Sequence, residues 1–492
     1  MVVIGAGPAG EVCAGRLADE GLDVALVERE LVGGECAFWA CMPSKALLRP
    51  ADVLAEVSRV PGATQAVTGK LDAAATLARR TEVIHDLDDS VKLPWLRDHE
   101  ITLHRGPARL EGVRRVRVGD ELLTARRAVV VAVGSGAVIP PIPGLRELAP
   151  WTNRQGTTAA RVPDRLIVLG GGVVGCELAQ AWSSLGARVT LVEAQPRLLS
   201  NEEPFAAEQL AQALRDRGVD VRLGAQVTAA RRTNALTETG PDAGTETAPD
   251  AGTETAPDVG SDVGRRPRSD AASDPGVITV TLEGGDTIDG DELLVAVGRR
   301  PHTGDLGLET VDLEPGATIS VDDRMRVTTP AHRDWLYAVG DVNGRALLTH
   351  AGKYQAMIAT ANIMNREAAA VWDGELSPRV VFTEPQIAAV GRTLQQALRD
   401  GITARAVDAD PGATAAASFV GKGAPSGARI VVDQAREVIV GATFTGPDVA
   451  DMLHAATVAI VGEVSLRRLV HVMPSFPTRS EVWLKLLEDW QP

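Results

Sequence analysis

Hydrophobic residues in this chain come in short runs that lead directly into glycine. Over residues 1–28 an apolar run, a glycine loop, an amphipathic segment and a second apolar run follow one another, which is the pattern of a strand–helix–strand unit. The same order recurs over 165–193, and two later apolar runs, 292–298 and 335–340, also end in glycine. The pattern predicts an α/β fold with two Rossmann-like dinucleotide-binding domains in series and a smaller C-terminal α/β domain.

Shifts in composition divide the chain further. We predict a first nucleotide-binding domain over 1–150, a second over 151–298, a return to the first or central domain over 299–370, and a C-terminal domain over 371–492. The second domain is interrupted at 236–274 by low-complexity sequence with three copies of an acidic eight-residue unit, such as TETAPDAG. Because this segment has little apolar surface to offset the entropy of ordering it, we interpret it as a disordered insertion in a surface hairpin.

Charge and cysteine content exclude several classes of partner. The formal net charge of −15 is unfavourable for binding nucleic acid or an anionic membrane, so we expect neither. The chain has no apolar run of about eighteen residues and no signal peptide, which makes a cytoplasmic location the default expectation. Four cysteines are too few for the disulfide framework of a secreted protein. We also predict no metal site.

Each strand–helix–strand unit carries a Gly-x-Gly-x-x-Gly motif and ends in a glutamate. The residues are Gly5, Gly7, Gly10 and Glu28 in the first unit and Gly170, Gly172, Gly175 and Glu193 in the second. Glycine lets the backbone approach a pyrophosphate, the helix N-terminus favours its charge, and the carboxylate accepts the ribose hydroxyls. Two such units with the same spacing predict two different dinucleotides. Glu193 would repel the extra phosphate of NADPH and favours NADH, while Arg197 leaves NADPH open.

A second chemical signal is the pair Cys36 and Cys41, in the segment GGECAFWACMPSK of 33–45. On an ideal helix, residues five apart have Cα atoms roughly 8.6 Å from each other, beyond the reach of a disulfide. Bridging the pair therefore requires a distorted first turn, which the neighbouring glycines and proline permit. A thiol near a helix N-terminus is more acidic and more reactive. We interpret Cys13 and Cys176, inside the helices that follow the glycine loops, as buried and inert.

The cysteine segment closely resembles the redox motif of the class I flavoprotein disulfide reductases, the family of dihydrolipoamide dehydrogenase, glutathione reductase and mercuric reductase. Both glycine motifs support the resemblance, as do the turns at 132–135 and 337–341 and the sequence FTEP at 382–385. In this family the C-terminal domain is a dimerisation domain, so the resemblance implies a homodimer. It covers nearly the whole chain except the acidic insertion.

The resemblance also implies roles for individual residues. The first motif would bind FAD and the second the nicotinamide cofactor, with Asp341 at the ribityl end of FAD. Cys41 would be the flavin-proximal thiol and Cys36 the interchange thiol that meets the substrate. Lys45 would lie beside the flavin, paired with Glu177. The remaining residues predicted to bind a cofactor are Gly34, Gly134, Gly298 and Gly340.

One position departs from the family pattern. The family has a histidine before Pro-Thr as its acid–base group, and Phe476 occupies that position here, although the orienting Glu481 is retained. Phenylalanine cannot transfer a proton, and loss of a positioned acid–base group costs about 10²- to 10⁴-fold in rate. His471 is the alternative if the loop bends, but a solvated loop histidine is the simpler interpretation. No cysteine follows Cys176, which disfavours the second redox centre of mercuric reductase.

The function predicted from these features is an FAD-dependent NAD(P)H:disulfide oxidoreductase. Electrons would pass from NAD(P)H to FAD, then to the Cys36–Cys41 disulfide and on to a small-molecule acceptor. The alternative is an NAD(P)H:quinone reductase that acts directly from the flavin and needs no histidine. A third hypothesis is a redox-responsive scaffold that captures a partner through the acidic insertion. The identity of the acceptor is not encoded in spacing or composition.

Overall fold

The short apolar runs of the sequence become the central strands of parallel sheets. The computed structural model describes residues 1–233, 276–332, 334–374, 376–421 and 423–490. The predicted insertion at 236–274 lies outside these residues. The α-helices are α1 (Pro8–Asp19), α2 (Gly34–Phe38), α3 (Cys41–Arg59), α4 (Ala73–Val83), α5 (Leu93–Asp98), α6 (Asn153–Thr158), α7 (Val173–Ser184), α8 (Pro204–Asp216), α9 (Thr349–Ile363), α10 (Leu394–Arg399), α11 (Ala417–Val420), α12 (Val449–Val461), α13 (Leu466–Leu469) and α14 (Val482–Leu486).

The strands complete the three α/β units. They are β1 (Val2–Ile4), β2 (Ala25–Glu28), β3 (Thr102–Arg105), β4 (Ala108–Leu110), β5 (Arg115–Val118), β6 (Glu121–Thr124), β7 (Val129–Val131), β8 (Ser135–Ala137), β9 (Arg165–Leu169), β10 (Arg188–Glu193), β11 (Asp220–Leu223), β12 (Val227–Thr233), β13 (Val277–Leu282), β14 (Thr287–Gly290), β15 (Glu292–Val295), β16 (Arg299–Pro301), β17 (Leu336–Ala338), β18 (Arg379–Val381), β19 (Gln386–Gly391), β20 (Ala404–Ala409), β21 (Gly427–Asp433) and β22 (Val438–Gly446).

The first sheet has the strand order β17–β7–β1–β2–β3, with every neighbouring pair parallel. The residues of β1, β7 and β17 are all buried, as expected of a parallel sheet covered on both faces. Helices α1 and α9 pack against each other on this sheet. Because β17 and α9 follow the second nucleotide-binding unit in sequence, the chain returns to the first sheet late.

The second sheet has the order β11–β10–β9–β15, also parallel. Its antiparallel extension is β12–β13–β14, in which Thr233 pairs with Val277. The runs on either side of the predicted insertion therefore form the expected hairpin. Leu47 and Leu48 of α3 share a core with Leu178 and Trp182 of α7, which fixes the helix bearing Cys41 against the second domain.

The C-terminal unit is an antiparallel sheet with the order β18–β19–β22–β21–β20. Helix α12 packs on β19 and β22, and the buried ring of Phe444 lies in the shared core. The predicted fold class is confirmed: two Rossmann-like units are followed by a C-terminal α/β unit.

Candidate active site

In the first glycine loop there is no space for a side chain between β1 and α1. Gly5 has a φ of 99°, and a Cβ there would lie 2.4 Å from the carbonyl oxygen of Ala132. A Cβ on Gly10 would lie 1.9 Å from the carbonyl oxygen of Gly5. Gly7 is the N-cap of α1, and no side chain caps the helix. The first-turn N–H groups of α1 are therefore available to an anion such as a pyrophosphate.

The second loop repeats this construction. Gly170 has a φ of 106°, and a Cβ on Gly175 would lie 1.8 Å from its carbonyl oxygen. Gly172 is the N-cap of α7, again without a side-chain cap. A twelve-residue helix with an uncapped N-terminus behind a close-packed glycine turn is present in both domains. Both sites fit a dinucleotide.

The two strand-end glutamates are fixed against these loops. Oε2 of Glu28 accepts a hydrogen bond of 2.7 Å from the backbone N–H of Ala6, and Oε2 of Glu193 accepts one of 2.5 Å from Gly171. Burial raises the pKa of Glu28. Each carboxylate therefore lies at the edge of its glycine loop, where the ribose of a bound dinucleotide would be.

The far side of the first domain carries a second polar group. Ser135 Oγ donates a 2.5 Å hydrogen bond to Oδ2 of Asp341, and Arg299 Nε donates to Ser135 Oγ at 2.9 Å. Burial raises the pKa of the Asp341 carboxyl. The structure thus joins the turn after β7 to the turn after β17, two of the segments that carried the family resemblance.

The remaining predicted cofactor glycines lie at the start of α2 or in loops that follow β7, β15 and β17. Gly34 approaches the first glycine loop so closely that a Cβ would lie 2.7 Å from the Cα of Gly7. Gly340 follows β17, and its position faces Ala9 of α1. The other two are Gly134, after β7, and Gly298, after β15.

The cysteine pair spans a break between two helices. Cys36 lies in α2, whereas Cys41 is the first residue of α3, and Trp39 and Ala40 between them are not helical. This interruption is the distortion that the five-residue spacing required. Cys36 and Cys41 are both partly exposed free thiols, so they are accessible from outside the fold.

One hydroxyl group lies between the two sulfurs. Oγ1 of Thr349, the first residue of α9, is 3.2 Å from Cys36 Sγ and 3.4 Å from Cys41 Sγ. The hydrogen bond from Cys36 and that from Thr349 lower the pKa of Cys41, as does the charge of Lys45. The hydrogen bond with Cys41 and burial raise the pKa of Cys36. These contacts favour negative charge on Cys41 over Cys36 in the reduced pair.

Lys45 and Glu177 form an ion pair between α3 and α7. Nζ of Lys45 lies 2.7 Å from Oε2 of Glu177, whose side chain is 3% exposed. The other oxygen of Glu177 accepts a 2.9 Å hydrogen bond from the N–H of Phe382. The pairing implied by the resemblance is therefore present, one helical turn from Cys41.

A clamp from the second domain holds the segment between the cysteines. Arg154 of α6 forms ion pairs with Glu30 and Glu35 at 2.7 and 2.9 Å, and its guanidinium lies over the ring of Trp39. Asn153 donates to the carbonyl oxygen of Trp39 at 2.8 Å and to Glu35 at 2.9 Å. We call Asn153, Arg154, Glu30, Glu35 and Trp39 the α6 clamp.

The sequence singles out three residues near the C-terminus, which are Glu481, Phe476 and His471. Glu481 accepts a 3.1 Å hydrogen bond from the N–H of Ala416 and makes no hydrogen bond to either cysteine within the described residues. The side chain of Phe476 is 78% exposed, and His471 is also exposed. The structure of one chain therefore does not bring Glu481 to the redox pair.

The other two cysteines are buried as predicted. Cys13 and Cys176 have no exposed surface. Burial raises the pKa of Cys13 to about 12, and burial also raises the pKa of Cys176. Both thiols stay protonated and unreactive at neutral pH.

The described residues contain neither a metal-binding cluster nor a membrane-spanning helix. No group of three or more His, Cys, Asp or Glu side chains there has the arrangement of a metal site. None of the helices of the described chain is both long and apolar enough to cross a membrane.

Two dinucleotide folds and an activated cysteine pair beside a lysine–glutamate ion pair define a flavin- and nicotinamide-dependent disulfide reductase. The pyridine nucleotide-disulphide oxidoreductase family model matches residues 1–277 and 259–361, and the family's dimerisation-domain model matches residues 377–487. The chain belongs to this family and is an FAD-dependent pyridine nucleotide-disulfide oxidoreductase.

Two curated relatives are similar over almost the whole chain. Dihydrolipoyl dehydrogenase 3 of Pseudomonas aeruginosa is 31% identical, and the match covers 98% of this chain and 95% of the relative. Mercuric reductase of Acidithiobacillus ferrooxidans is 29% identical, with 98% and 80% covered.

Solved structures show the same fold. The HOCl-induced flavoprotein disulfide reductase RclA of Escherichia coli superimposes with a TM-score of 0.77 at 24% identity and covers 99% of both chains. LpdA of Mycobacterium tuberculosis superimposes with a TM-score of 0.80 at 23% identity, covering 100% of this chain and 99% of LpdA.

Sequence reasoning missed Thr349 and the α6 clamp. A threonine at the start of a predicted helix suggests a helix cap, which is a local role. Its contact with Cys36 joins residues 313 positions apart, so no local pattern contains it. Arg154 and Glu35 were likewise visible only as isolated surface charges.

Proposed function

We propose that this enzyme reduces a small disulfide and that Cys36 and Cys41 form its redox centre. The observation that carries the proposal is the arrangement of both sulfurs around one hydroxyl group, 3.2 and 3.4 Å away, with the charge of Lys45 acting on Cys41. A lowered pKa at one thiol and access from outside are what thiol–disulfide exchange requires.

The cofactor sites follow from the two glycine loops. We assign FAD to Gly5, Gly7, Gly10 and Glu28, with Gly34, Gly134, Gly340 and Asp341. The nicotinamide cofactor is assigned to Gly170, Gly172, Gly175 and Glu193, and Gly298 at the end of the same domain is assigned to cofactor binding. A flavin bound at the first loop would supply the redox centre between the nicotinamide and the Cys36–Cys41 disulfide. NADH is the preferred donor, because the carboxylate of Glu193 lies at the ribose end of the second loop.

The protein side chains set charge and geometry. The ammonium group of Lys45 stabilises negative charge on Cys41 and on a flavin bound beside it, and Glu177 holds this ammonium group in place. Cys36 is the nucleophile toward the acceptor. Glu481 would act in a homodimer formed by the domain over 371–492, where the partner chain completes the substrate cleft. Residues 1–150 with 299–370 form the FAD domain, and 151–298 form the NAD(P) domain.

An anaerobic NADH titration of the wild-type protein and of Cys36→Ser tests this proposal. We expect the wild type to take up an electron pair for the flavin and a second pair for the disulfide, with a long-wavelength thiolate–flavin band. Cys36→Ser should take up only the first pair and lose disulfide reduction. If the wild type also takes up one pair and shows no band, the cysteine pair is idle and the proposal is wrong.

A second candidate function is quinone reduction directly from the flavin. Phe476 favours it, since a phenylalanine at the acid–base position cannot exchange a proton with a thiol. Saturable quinone reduction that survives Cys36→Ser, together with no reduction of small disulfides by the wild type, would support this candidate. Quinone reduction that disappears with Cys36→Ser would exclude it.

A further inference from the structure

Thr349 is the only described side chain, besides the cysteines themselves, that is hydrogen-bonded to both reacting sulfurs. Its Oγ1 lies 3.2 Å from Cys36 Sγ and 3.4 Å from Cys41 Sγ. A hydroxyl group can rotate and has one proton to donate and two lone pairs to accept with. It can therefore donate to either sulfur without any movement of the backbone.

The position of Thr349 strengthens this effect. It is the first residue of α9, a fifteen-residue helix with no side-chain cap, so the positive end of the helix dipole is directed at the sulfurs. Lys353 follows one turn later on the same face of α9, and its charge acts on Cys36. The N-terminal turn of α9 thus favours negative charge at both sulfurs.

In the part of the chain that the structure describes, no histidine is hydrogen-bonded to either sulfur of the pair. Phe476 occupies the position of the acid–base histidine of the family, and its side chain is 78% exposed. His350, next to Thr349, is exposed. The reduced pair therefore needs another group to accept the proton of the Cys36 thiol.

We propose that Thr349 is a catalytic residue whose hydroxyl group donates a hydrogen bond to whichever of the two sulfurs is negatively charged. Cys36 and Cys41 thereby share one proton, and Cys41 serves as the base that deprotonates Cys36. This inference rests on the proposed disulfide reductase function. It assigns to the sulfur pair and Thr349 the role that Phe476 cannot perform.

The exchange oxidises the cysteine pair and reduces the acceptor disulfide. A Cys36 thiol with a Cys41 thiolate becomes a Cys36 thiolate with a Cys41 thiol when the proton crosses. Cys36 then attacks the acceptor disulfide, an S–S bond forms to one acceptor sulfur, and the other leaves as a thiolate and takes the proton from Cys41. The Cys41 thiolate displaces the second acceptor sulfur, which closes the Cys36–Cys41 disulfide. The enzyme pair loses one electron pair, and the acceptor leaves as one thiol and one thiolate.

Substitution of Thr349 leaves the other charged groups around the two cysteines unchanged. Lys45 lies on α3 and Glu177 on α7, Glu35 lies beside Cys36 on α2, and His350 and Lys353 lie on α9. A change caused by Thr349 alone is therefore separable from a change in the surrounding charge.

The test measures alkylation of the reduced full-length protein by iodoacetamide between pH 5 and 10, with each cysteine followed by mass spectrometry. We expect Thr349→Val to shift the alkylation midpoints of Cys36 and Cys41 upward by about one pH unit, because a hydrogen bond to a charged group is lost. Thr349→Ser, which keeps the hydroxyl, should restore both midpoints. Disulfide reduction by Thr349→Val at pH 7 should fall about tenfold.

A matched control uses another threonine on the same helix. The hydroxyl of Thr360 lies 3.9 Å from the sulfur of buried Cys13, away from the redox pair, so Thr360→Val should leave both midpoints unchanged. Unchanged midpoints in Thr349→Val, or a shift at Cys41 alone, would overturn the inference. Because alkylation needs neither NADH nor acceptor, this outcome is distinct from failure of the proposed function, which the NADH titration of the wild type reports.

Discussion

Among the individual residues of the site, Glu177 carries a buried negative charge. Its side chain is 3% exposed, and it accepts from both Lys45 Nζ and the N–H of Phe382. Glu177→Gln keeps an acceptor for Phe382 but leaves the Lys45 ammonium without its counter-charge. We expect disulfide reduction to fall about 10- to 100-fold and the free energy of unfolding to fall by about 1–3 kcal/mol.

The measurement is steady-state NADH oxidation together with chemical denaturation. The control is Glu111→Gln, which removes the partner of Arg117 from a more exposed pair. Because this ion pair is screened by solvent, the control should change stability little and retain full activity. Equal losses in the two variants would contradict a specific role for Glu177.

Asp52 on α3 makes stability depend on pH. Burial raises the pKa of its carboxyl to about 6, and Oδ1 is buried with no hydrogen-bond partner in the described chain. The folded-state pKa is above the ordinary value of 3.8, so the stability tied to the protonated form is complete below pH 3.8 and is lost as the pH rises through about 6.

Asp52→Asn should therefore stabilise the protein at high pH. We expect its melting temperature to exceed that of the wild type at pH 8, with a gain in unfolding free energy of at most about 3 kcal/mol, and the difference to shrink toward pH 5. Asp286→Asn, at an exposed turn, is the control and should show no such trend. A difference that is constant from pH 5 to 8 would refute the assignment.

The roles of some of these residues could be predicted from the sequence, and those of others could not. The glycine loops and the cysteine segment are contiguous, so their spacing carries their geometry. The Lys45–Glu177 contact joins residues 132 positions apart and was accessible only through the family resemblance. Thr349 and Asp52 act through neighbours supplied by tertiary packing, which no local pattern records.

At the scale of elements, α6 connects the second nucleotide domain to the redox segment. The helix is held by a capping box between Thr152 and Gln155, and Arg154 extends from it to Glu30, Glu35 and the ring of Trp39. At the break between α2 and α3 the N–H of Trp39 still donates to the carbonyl oxygen of Glu35, whereas the carbonyl oxygen of Trp39 accepts from Asn153. The α6 clamp therefore supplies a partner where α2 ends.

Arg154→Met should loosen the segment between the cysteines. We expect amide hydrogen exchange over 34–41 to accelerate about tenfold, because charge-assisted hydrogen bonds worth about 1–3 kcal/mol are lost. Arg109→Met is a matched control, since Arg109 also pairs with two carboxylates, Asp305 and Glu309, on an exposed surface. Exchange over 34–41 that is unchanged in Arg154→Met would show that the clamp does not order the redox segment.

Elements with a strong period were predictable, and irregular ones were not. The buried runs of β1 and β9 and the amphipathic helices α1 and α7 follow directly from the hydrophobic pattern. The C-terminal region was predicted only as a mixed α/β domain, because its antiparallel strand order depends on pairing between distant segments.

For the molecule as a whole, the described residues that flank the acidic repeats are neighbours in one hairpin. Thr233 of β12 pairs with Val277 of β13, so a short turn can connect these two strands. Replacing 234–275 by a four-residue turn should therefore leave NADH-dependent activity unchanged and the unfolding free energy within about 1 kcal/mol. A variant with the repeats scrambled controls for composition. A large loss of activity in the shortened variant, but not in the scrambled one, would assign the segment a function of its own.

Large exposed hydrophobic side chains in the C-terminal domain indicate a partner surface. Val472 and Met473 are 63% and 88% exposed in the loop that leads to Phe476, and Val458 on the outer face of α12 is 55% exposed. Apolar surface of this kind is typical of an interface between subunits. The dimerisation-domain model also matches this region, residues 377–487.

Val458→Glu should therefore shift the protein from dimer to monomer, because a charge buried in an apolar interface without a partner costs several kcal/mol. The measurement is sedimentation or light scattering at micromolar concentration, with disulfide reduction assayed in parallel. Val113→Glu changes an equally exposed valine, 59% exposed, in the β4–β5 turn of the first domain and should leave the molecular mass unchanged. We expect the monomeric Val458→Glu protein to lose disulfide reduction while it still binds FAD, since both glycine loops lie within one chain whereas Glu481 is proposed to act on the redox pair of the partner chain. A fully active monomer would show that one chain holds the complete site and that Glu481 plays no part in the reaction.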